Sequence, residues 1–443
     1  MKKVLYTLIL LLPFWGVQAQ TDLGLHFLPQ VWQSQQTNPA LLSPYRVNIA
    51  LPAPSVQIGH SGFTAKNLLQ PLPGTDSLIV DLDQAIARMA AQNYLRSNVR
   101  LDILAVGLRF NNLQLSLSAA ARTQVYVGYP RSLVELAWNG NAAFLGETME
   151  IGPDIAAFAY SEIALGGAYR LNKLTIGAKV KYLNGLANIE TESGSLTFRT
   201  DPEYYQLRGT LDYQVRTSVV DFGDLENFEP SYEPDPLTGN VGFGVDLGAT
   251  YDFSKRLRIS ASVMDLGSIK WTDAAKRYRA SGTLNFDGID VSAIAMGDST
   301  HIETLLDSLQ NQIQLSEEAF TYRTSLPTQM MASIRFSPLQ KLHINGLIYN
   351  ERYRGQNFPA MSVGLSKDFG KVFTLGASYN IRHRSYNQLG MQMWLKLGPF
   401  AGFLVLDNVL APIFPMSSKY VSLRAGMNLS IGKINKDDTP MTE

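Results

Sequence analysis

Four stretches of this chain alternate apolar residues with polar or small ones over about ten positions or more. In residues 242–253, GFGVDLGATYDF, every odd-numbered residue is apolar, and every even-numbered residue is glycine, aspartate or threonine. Similar alternation runs through residues 173–183, 371–384 and 420–432. Because successive side chains of a strand point to opposite faces, each stretch predicts a strand with one apolar face. Ordinary strands average about 5–6 residues, whereas a strand that crosses a membrane needs about 9–11.

The composition favours membrane strands over a soluble β-sandwich or propeller, which is the alternative that alternation leaves open. Charged residues make up 17% of the chain, against about 25% in typical soluble proteins. No later segment has the long apolar run of a membrane helix, so a closed β-barrel is the remaining way to cross a bilayer. The 38 basic and 38 acidic residues balance, which gives no indication of a nucleic-acid partner. Aromatic residues lie near predicted strand ends, as in the aromatic belts of such barrels: Tyr182, Tyr251, Phe253, Phe369 and Tyr379.

Residues 1–19 have the three parts of a secretory signal peptide. Lys2 and Lys3 precede an apolar core over residues 4–14, and Val17 and Ala19 are small residues at the positions that a signal peptidase inspects. A membrane anchor is the alternative, but the core is short against the roughly 20 residues of a spanning helix. We expect cleavage near Ala19 and a barrel in the outer membrane of a Gram-negative bacterium. The chain has no cysteine, so no cysteine-linked lipid anchor is expected.

Turn signals divide the chain into short and long connections, as in outer-membrane barrels with periplasmic turns and extracellular loops. The segments predict about 14 strands; 16 are possible, and residues 278–296 are left undecided. Short connections are expected at residues 111–112, 172, 254–255, 338, 370 and 398–399. Long connections are expected at about 129–158, 221–240, 267–328, 351–357 and 408–419. The predicted organisation is a signal peptide (1–19), an N-terminal hatch or plug (20–45), the barrel (46–433) and a short periplasmic tail (434–443).

Two of the extracellular loops have the apolar periodicity of amphipathic helices. Residues 299–313 place Ile302, Leu305, Leu306, Leu309 and Ile313 on one stripe, and residues 81–90 form a similar pattern that begins at Asp81. We expect these stripes to pack onto the barrel mouth. A hydrophobic groove that collects a greasy ligand is the alternative.

No pattern in the chain predicts catalysis, a metal site or a cofactor. The five histidines are scattered without the spacing of metal ligands. The triplet Asp-Phe-Gly occurs at residues 221–223 and 368–370, but without the other kinase motifs both are expected to be turns. The acidic loop at residues 221–230 lacks the spacing of an EF-hand, so a solvated loop is favoured over a calcium site. We therefore expect a protein that is not an enzyme, although a barrel phospholipase or protease stays open.

The residues before the first predicted strand are too apolar to be exposed to water. Leu23, Leu25, Phe27, Leu28, Val31 and Trp32 need burial, and a lumen of about fourteen strands has room for a plug. Pro39 fixes its own φ angle and restricts Asn38 to extended geometry, while Ala40 permits close approach. Asn38, Pro39 and Ala40 are the candidate hatch and gating residues. The candidate lumen-facing residues are Arg109, Lys179, Lys181, Asp246, Arg258, Arg382 and Arg424.

Asn38-Pro39-Ala40 before the first strand resembles the Asn-Pro-Ala motif of the long-chain fatty-acid transporter (FadL) superfamily. Four stretches together resemble a related family of unknown function among Bacteroidota outer-membrane proteins: residues 38–52, 76–89, 241–271 and 322–336. The last strand is similar to an assembly signal for barrel insertion through Arg424, Gly426, Leu429 and Ile431, but it continues into a polar tail instead of ending on an aromatic residue.

The resemblance implies a 14-stranded barrel with an N-terminal hatch and a channel for hydrophobic small molecules. The implied partners are membrane lipids, a hydrophobic ligand and the barrel-assembly machinery. The alternative is a non-transporting barrel that serves as a surface binding or scaffold component, for example with type IX secretion components. The charged lumen-facing residues argue against an apolar route through the interior. Neither reading implies a cofactor or a nucleic-acid partner.

Overall fold

The fold is a closed antiparallel β-barrel with a small sheet at one end. A computed structural model describes residues 23–71, 74, 78–222, 231–232, 237–286 and 312–434. In chain order the strands are β1 (Tyr45–Ala50), β2 (Ala53–His60), β3 (Leu69–Pro71), β4 (Leu78–Val80), β5 (Gln92–Phe110), β6 (Leu113–Pro130), β7 (Thr148–Glu150), β8 (Asp154–Leu171), β9 (Leu174–Thr200), β10 (Leu207–Ser218), β11 (Val220–Asp221), β12 (Ser231–Tyr232), β13 (Val241–Ser254), β14 (Leu257–Trp271), β15 (Lys276–Phe286), β16 (Ile313–Ala319), β17 (Tyr322–Ser325), β18 (Thr328–Leu339), β19 (Leu342–Tyr353), β20 (Gln356–Phe369), β21 (Phe373–Arg382), β22 (Ser385–Leu397), β23 (Phe400–Leu406) and β24 (Tyr420–Lys433).

The helices are short and lie in the connections. They are α1 (Ala65–Leu68), α2 (Leu82–Ala87), α3 (Arg131–Asn139) and α4 (Leu410–Ile413), with 3-10 turns at Gly24–Phe27, Trp32–Gln36, Asn141–Phe144 and Pro415–Ser417. Helix α2 is capped by the side chain of Asp81, which accepts a hydrogen bond from the backbone N–H of Gln84 at 3.0 Å. Ala85, Ile86 and Met89 on its apolar stripe are buried. None of the described helices has both the length and the apolar character to cross a membrane.

The barrel closes because the first and last strands pair with each other. β1 and β2 are two halves of one strand interrupted at residues 51–52, and both halves pair with β24 on one side and β5 on the other. β17 and β18 are likewise two parts of one strand against β14. Counted in this way, the ring has 14 antiparallel strands. The predicted all-β barrel and its strand number are confirmed, and a ring of 16 is excluded.

The alternation of the sequence becomes an apolar outer wall and a polar inner wall. On β13, Phe243 is 62% exposed and points outward, whereas Asp246 is 1% exposed and points into the lumen. Large apolar side chains are exposed on the outer face of strands around the ring, among them Leu165, Val180, Ile348, Val363 and Leu423. The outer wall is therefore the apolar face that the sequence predicts.

A small sheet, formed by parts of four strands, extends beyond the barrel at the end that carries most long connections. The distal half of β9 pairs with β10, β10 pairs with β15, and β15 pairs with β16. The undecided region 278–296 is thus partly strand β15, which is not part of the ring. Residues 287–311 lie outside the described residues, so the predicted helix at 299–313 falls there except for its last two residues, and Ile313 begins β16.

Two predicted connections need correction. The expected long loop at residues 351–357 is wrong, because β19 and β20 are joined by a tight turn at Arg354 and Gly355, both with positive φ. The short turn expected at Pro338 lies at residues 340–341, since β18 continues through a register shift to Leu339. The signal peptide, most of the acidic loop and all of the tail except Ile434 lie outside the described residues.

Candidate functional site

Residues 23–44, called here the N-terminal segment, lie inside the barrel and contact strands on several sides. The side chains of Gln33 and Asn428 on β24 exchange two hydrogen bonds of 2.9 Å. The backbone N–H groups of Leu23 and Gly24 donate to the carboxylate of Asp407 at 2.8 and 2.9 Å. Asp407 is fully buried and is also paired with Arg382. The segment therefore has polar anchors at its start and at its middle.

The Asn38-Pro39-Ala40 sequence docks against two wall strands. The side-chain amide of Asn38 donates to the carbonyls of Ala249 on β13 and Ala261 on β14, at 3.3 and 3.1 Å. Its Oδ1 atom accepts from the backbone N–H of Ala40 at 2.9 Å, which closes a local turn. Asn38 is fully buried although it carries a polar side chain, and these bonds compensate for its burial.

Glycines on the wall make room for this docking. A Cβ atom at Gly248 would lie 2.1 Å from Oδ1 of Asn38, and one at Gly177 would lie 2.5 Å from the carbonyl group of Pro39. Both distances are far below van der Waals contact, so only glycine fits without a shift. Gly248 belongs to the alternating stretch at residues 242–253. The sequence shows that a small residue stands there, but not that Asn38 packs against it.

Trp32 has a similar seat on the first strands of the barrel. A Cβ atom at Gly107 would lie 1.8 Å from the Trp32 ring. The ring packs in a buried cluster with Ala50 and Ala105, which are also small. Small inward residues of β1 and β5 thus form a recess for the one tryptophan of the N-terminal segment.

The apolar side chains of the segment cover an apolar strip on the inner wall. Leu25, Leu28 and Val31 pack against residues of β22 and β23, and Leu23 and Phe27 pack against residues of β18, β19 and β20. The apolar strip consists of Met331, Leu347, Tyr349, Ala360, Trp394, Ala401, Phe403 and Val405. The sequence predicted a charged interior, and this strip is the part of the wall that the prediction missed.

The other side of the lumen carries a cluster of ion pairs, called here the charged cluster. Its members are Arg100, Asp102, Arg122, Glu162, Lys179, Lys181, Asp246, Asp265 and Arg424. Lys181 lies 2.7 Å from a carboxylate oxygen of Asp246, and Arg424 lies 2.7 Å from one of Asp102. The side chain of Gln36 donates to Asp102 at 2.9 Å, so the polar residues of the segment face this cluster.

The seven candidate lumen-facing residues lie at four separate places. Lys179, Lys181, Asp246 and Arg424 belong to the charged cluster. Arg109 donates to the backbone carbonyl of Ser43, where the N-terminal segment enters β1. Arg258 pairs with Asp252 at 2.6 Å on the adjacent strand. Arg382 pairs with Asp407 and so supports the carboxylate that binds Leu23 and Gly24.

Asp265 is a central residue that sequence reasoning missed. It has a positive φ of 59° at a register shift between β13 and β14. Its carboxylate accepts hydrogen bonds from Arg122, Lys181 and Gln329. The shift also reverses the inward side of β14, so that Ile269 and Trp271 become fully buried. A signal of the register shift is present in the sequence at Met264-Asp265-Leu266. Strict alternation from Met264 would place Leu266 inside the barrel and the charged Asp265 outside.

A cluster of aromatic side chains lies in the lumen near the end with the long connections. Tyr94 on β5 meets Phe358 on β20 edge to face at 5.4 Å between ring centroids, although the two strands lie on different sides of the ring. Tyr126 on β6 meets Tyr353 on β19 at 6.1 Å. These contacts span the lumen, and the cluster also includes Phe158, Tyr160, Trp271 and Tyr322.

The N-terminal segment contains no aspartate, glutamate, lysine or arginine, and His26 is its one ionisable side chain. His26 Nδ1 lies 2.8 Å from Oγ1 of Thr37, which itself donates to the carbonyl of Ser34. Nδ1 therefore carries the proton, and Nε2 accepts from the hydroxyl of Ser333 at 2.7 Å. Burial, reinforced by the charge of Arg335, lowers the pKa of His26 to about 4, so the segment is neutral near pH 7.

Within the described ranges, no group of three or more histidine, aspartate or glutamate residues is placed to hold a metal ion. The polar groups of the lumen bind one another and the segment. Ser337, His343 and Asp368 are linked by hydrogen bonds of 2.7 and 3.1 Å, and Ser337 and His343 are buried. The site is thus a lumen occupied by its own chain.

The chain is similar to several solved structures at low sequence identity. The Pseudomonas putida toluene transporter TodX is 8% identical, with 94% of this chain and 96% of that chain covered at a TM-score of 0.40. The Ralstonia pickettii toluene transporter TbuX is 11% identical, with 88% and 90% covered at 0.40. A Pseudomonas aeruginosa FadL homologue is 11% identical, with 94% and 97% covered at 0.38.

No curated protein sequence matches this chain. One family model does match, over residues 39–407, which extend from Pro39 in the N-terminal segment to Asp407 after β23. The match includes every strand of the ring except β24. The chain therefore belongs to the Family of unknown function (DUF5723).

Proposed function

We propose that this protein is an outer-membrane channel for hydrophobic small molecules, closed by the N-terminal segment acting as a hatch. The observation that carries the proposal is the apolar strip, which five apolar side chains of the segment cover. If the segment moves, the lumen gains an apolar lining along β18–β20 and β22–β23. The charged interior expected from the sequence argued against such a lining, and the strip removes that objection.

The outer wall supports a membrane location. Its exposed apolar side chains are stable against lipid hydrocarbon and would aggregate in water. A closed ring leaves no backbone hydrogen-bonding group unpaired at an edge, which is the condition for crossing a bilayer with strands. Together with the signal peptide expected at residues 1–19, this supports the outer membrane as the location.

The energetics of the segment suit a hydrophobic ligand that replaces it. Each fully buried leucine, valine or phenylalanine contributes about 1.5–3 kcal/mol through burial. Leu23, Leu25, Phe27, Leu28 and Val31 are all buried, so bare displacement of the segment would be costly. A hydrophobic molecule that occupies the apolar strip recovers part of this free energy. A polar solute recovers none of it, and this difference is the basis for the proposed selectivity.

The absence of charge on the described part of the segment also supports its movement. Four of the five cations of the charged cluster pair with carboxylates on the wall, and the segment contributes only neutral hydrogen-bonding groups. Displacement therefore breaks no ion pair between charged side chains of residues 23–44 and the wall. Charged wall groups bond only to neutral groups of the segment, as Asp407 does to the backbone N–H groups of Leu23 and Gly24 and Lys179 does to the carbonyl of Gln35.

A closed barrel that serves as a surface binding or scaffold component, for example in type IX secretion, is the second candidate. The observation that favours it is the aromatic cluster, which spans the lumen above the segment. In that case the sheet of β9, β10, β15 and β16 would be the binding surface, and the lumen would stay filled. The two candidates differ in whether the segment has to move.

A reversible disulfide separates the two candidates. The chain has no cysteine, and a Cβ atom at Gly24 would lie 2.8 Å from Cγ of Gln392 on β22. Cβ–Cβ distances of about 3.5–4.5 Å suit a disulfide, so Gly24→Cys with Gln392→Cys is expected to tether the segment to the wall. The variant would be reconstituted in lipid vesicles, and uptake of a fluorescent long-chain fatty acid and of a monoaromatic hydrocarbon would be measured.

The oxidised variant is expected to exclude both probes, and the reduced variant to take them up at the rate of the wild type. Each single-cysteine variant is the matched control, and neither should respond to oxidation. Equal uptake in the oxidised and reduced states would refute the hatch. Absence of uptake in every state, including the wild type, would favour the closed barrel.

A further inference from the structure

A small polar cavity, called here the central cavity, lies between the N-terminal segment and the charged cluster. Its volume is about 70 Å³, and residues 32–37 of the segment form one side of it except for Ser34. About 10–15 Å³ of such volume is enough to hold one water, so the cavity has room for an anion with a few waters. The cavity is separate from the apolar strip of the proposed channel, so what it binds does not depend on that channel.

The charged cluster has one cation more than it has carboxylates. Four cations, Arg100, Arg122, Lys181 and Arg424, each lie in an ion pair with at least one carboxylate of the cluster. The carboxylates of these pairs are Asp102, Glu162, Asp246 and Asp265. Lys179 is the remaining member, and it leaves the cluster with one net positive charge.

Lys179 is buried without a carboxylate partner among the described residues. Its side chain is 8% exposed, and its ammonium donates to the backbone carbonyl of Gln35 at 3.0 Å. Asp246 lies opposite Lys179 on the neighbouring strand, but its carboxylate is 2.7 Å from Lys181, and no ion pair among the described residues includes Lys179. A buried charge that lacks a counter-charge costs several kcal/mol, about 3–5 where partner removal has been measured.

Two hydrogen-bond donors that line the same cavity have no acceptor within the described chain. They are the side-chain amide nitrogen of Gln35 and the Nε atom of Arg122. Both residues are more than nine-tenths buried, so bulk water does not replace the missing acceptors. Unmet donors beside an unpaired ammonium need an occupant that accepts hydrogen bonds and carries negative charge.

We propose that the central cavity binds a monovalent anion of halide size, with Lys179 as its counter-charge and Gln35 and Arg122 as further donors. The oxygen atoms Oε1 of Gln57, Oδ1 of Asn98 and Oε2 of Glu162 also line the cavity and accept no hydrogen bond from described residues. Waters beside the anion satisfy them, because each water donates two hydrogen bonds and two waters can therefore reach the three acceptors and the anion. The volume has room for the anion and these waters.

The site joins the segment to the wall. Gln35 belongs to the N-terminal segment, whereas Lys179 and Arg122 belong to β9 and β6. An anion bound by all three is lost when the segment leaves, so it stabilises the docked segment by linkage. The structure thus predicts that halide and segment bind together.

The test uses the purified full-length protein and halide salts alone. Crystals grown in bromide are expected to show an anomalous scattering peak in the central cavity. Thermal stability in lipid vesicles should rise with chloride concentration relative to gluconate at equal ionic strength. Lys179→Met should remove both effects, and Lys173→Met, which changes an exposed lysine in the turn before β9, should preserve them.

Three results would overturn the inference. The first is a cavity that holds only water in bromide crystals of the wild type, a readout that does not depend on any variant. The second is equal stability in chloride and gluconate, which is what a neutral Lys179 amine would give. The third is an unchanged bromide peak in Lys179→Met, because the anion would then have a different counter-charge.

Discussion

Replacing Gly248 by alanine tests whether a single methyl group on the wall releases the N-terminal segment. The added Cβ would lie 2.1 Å from Oδ1 of Asn38 and 2.8 Å from Cδ of Pro39. Ordinary contacts begin near 3.5 Å, so Asn38 has to move by more than about 1 Å. That movement breaks its bonds to the carbonyls of Ala249 and Ala261.

The expected magnitude follows from the cost of overpacking, which is about 1–3 kcal/mol in a well-packed site. Because about 1.4 kcal/mol is a factor of ten in an equilibrium constant, the undocked fraction should rise roughly 5- to 150-fold. Gly244→Ala is the matched control. Gly244 lies on the same strand and the same inner face, and its Cβ would meet nothing closer than 3.6 Å.

Chymotrypsin provides the assay, since it cleaves after Phe27 and Trp32, which are 2% and 5% exposed in the docked segment. When docking is fast relative to cleavage, the rate reports the undocked population. Gly248→Ala should be cleaved about 5- to 150-fold faster than the wild type, and Gly244→Ala at nearly the wild-type rate. Equal cleavage of the two variants, with the barrel intact by circular dichroism, would refute the docking argument.

Two further predictions concern buried ionisable groups. The pKa of His26 falls from 6.5 to about 4 on burial, so the docked segment should be fully stable above about pH 6.5 and lose about 3 kcal/mol as the pH falls from 6.5 to 4, because the undocked state binds the proton first. The rate at which an acid-stable protease cleaves the segment should rise as the pH falls from 6.5 to 4. In His26→Gln this rise in the cleavage rate should be absent. Asp265→Asn should destabilise the barrel by about 3–5 kcal/mol in urea unfolding, because Arg122 and Lys181 lose a shared carboxylate. The exposed Asp212→Asn should cost less than about 1 kcal/mol, and equal losses in the two variants would contradict the role given to the charged cluster.

The strands and their outward faces could be predicted because lipid imposes one rule on every position of the outer wall. Phe243, Leu247 and Tyr251 stand outside, as their alternation requires. The short turns could be predicted for a different reason. Most of them carry Asn or Gly with positive φ, as at Asn111, Asn172 and Gly370. The prediction of a long loop at residues 351–357 was wrong because most of these polar residues belong to β19 and β20.

The interior could be predicted only in part, because its pattern depends on contacts between distant segments. Trp271 points inward after a register shift at Asp265, and the shift follows from a hydrogen bond to Asp246 on the neighbouring strand. The apolar strip was missed because Met331, Ala360 and Phe403 read as ordinary apolar residues of strands whose lumen side was expected to be polar. The sequence shows that Gly177 is a small inward residue. Only the structure shows that it has to be glycine because the backbone of Pro39 approaches it closely.

The seam between β24 and the β1–β2 strand has a consequence for biogenesis. The ring closes only when the C-terminal strand reaches the N-terminal one, and the segment that precedes β1 ends up enclosed. Its anchors include Asn428 in β24 and Asp407 just after β23, so these seats exist only once the last part of the chain has been made. The N-terminal segment therefore completes its contacts only after the last strand has been made and the ring has closed around it.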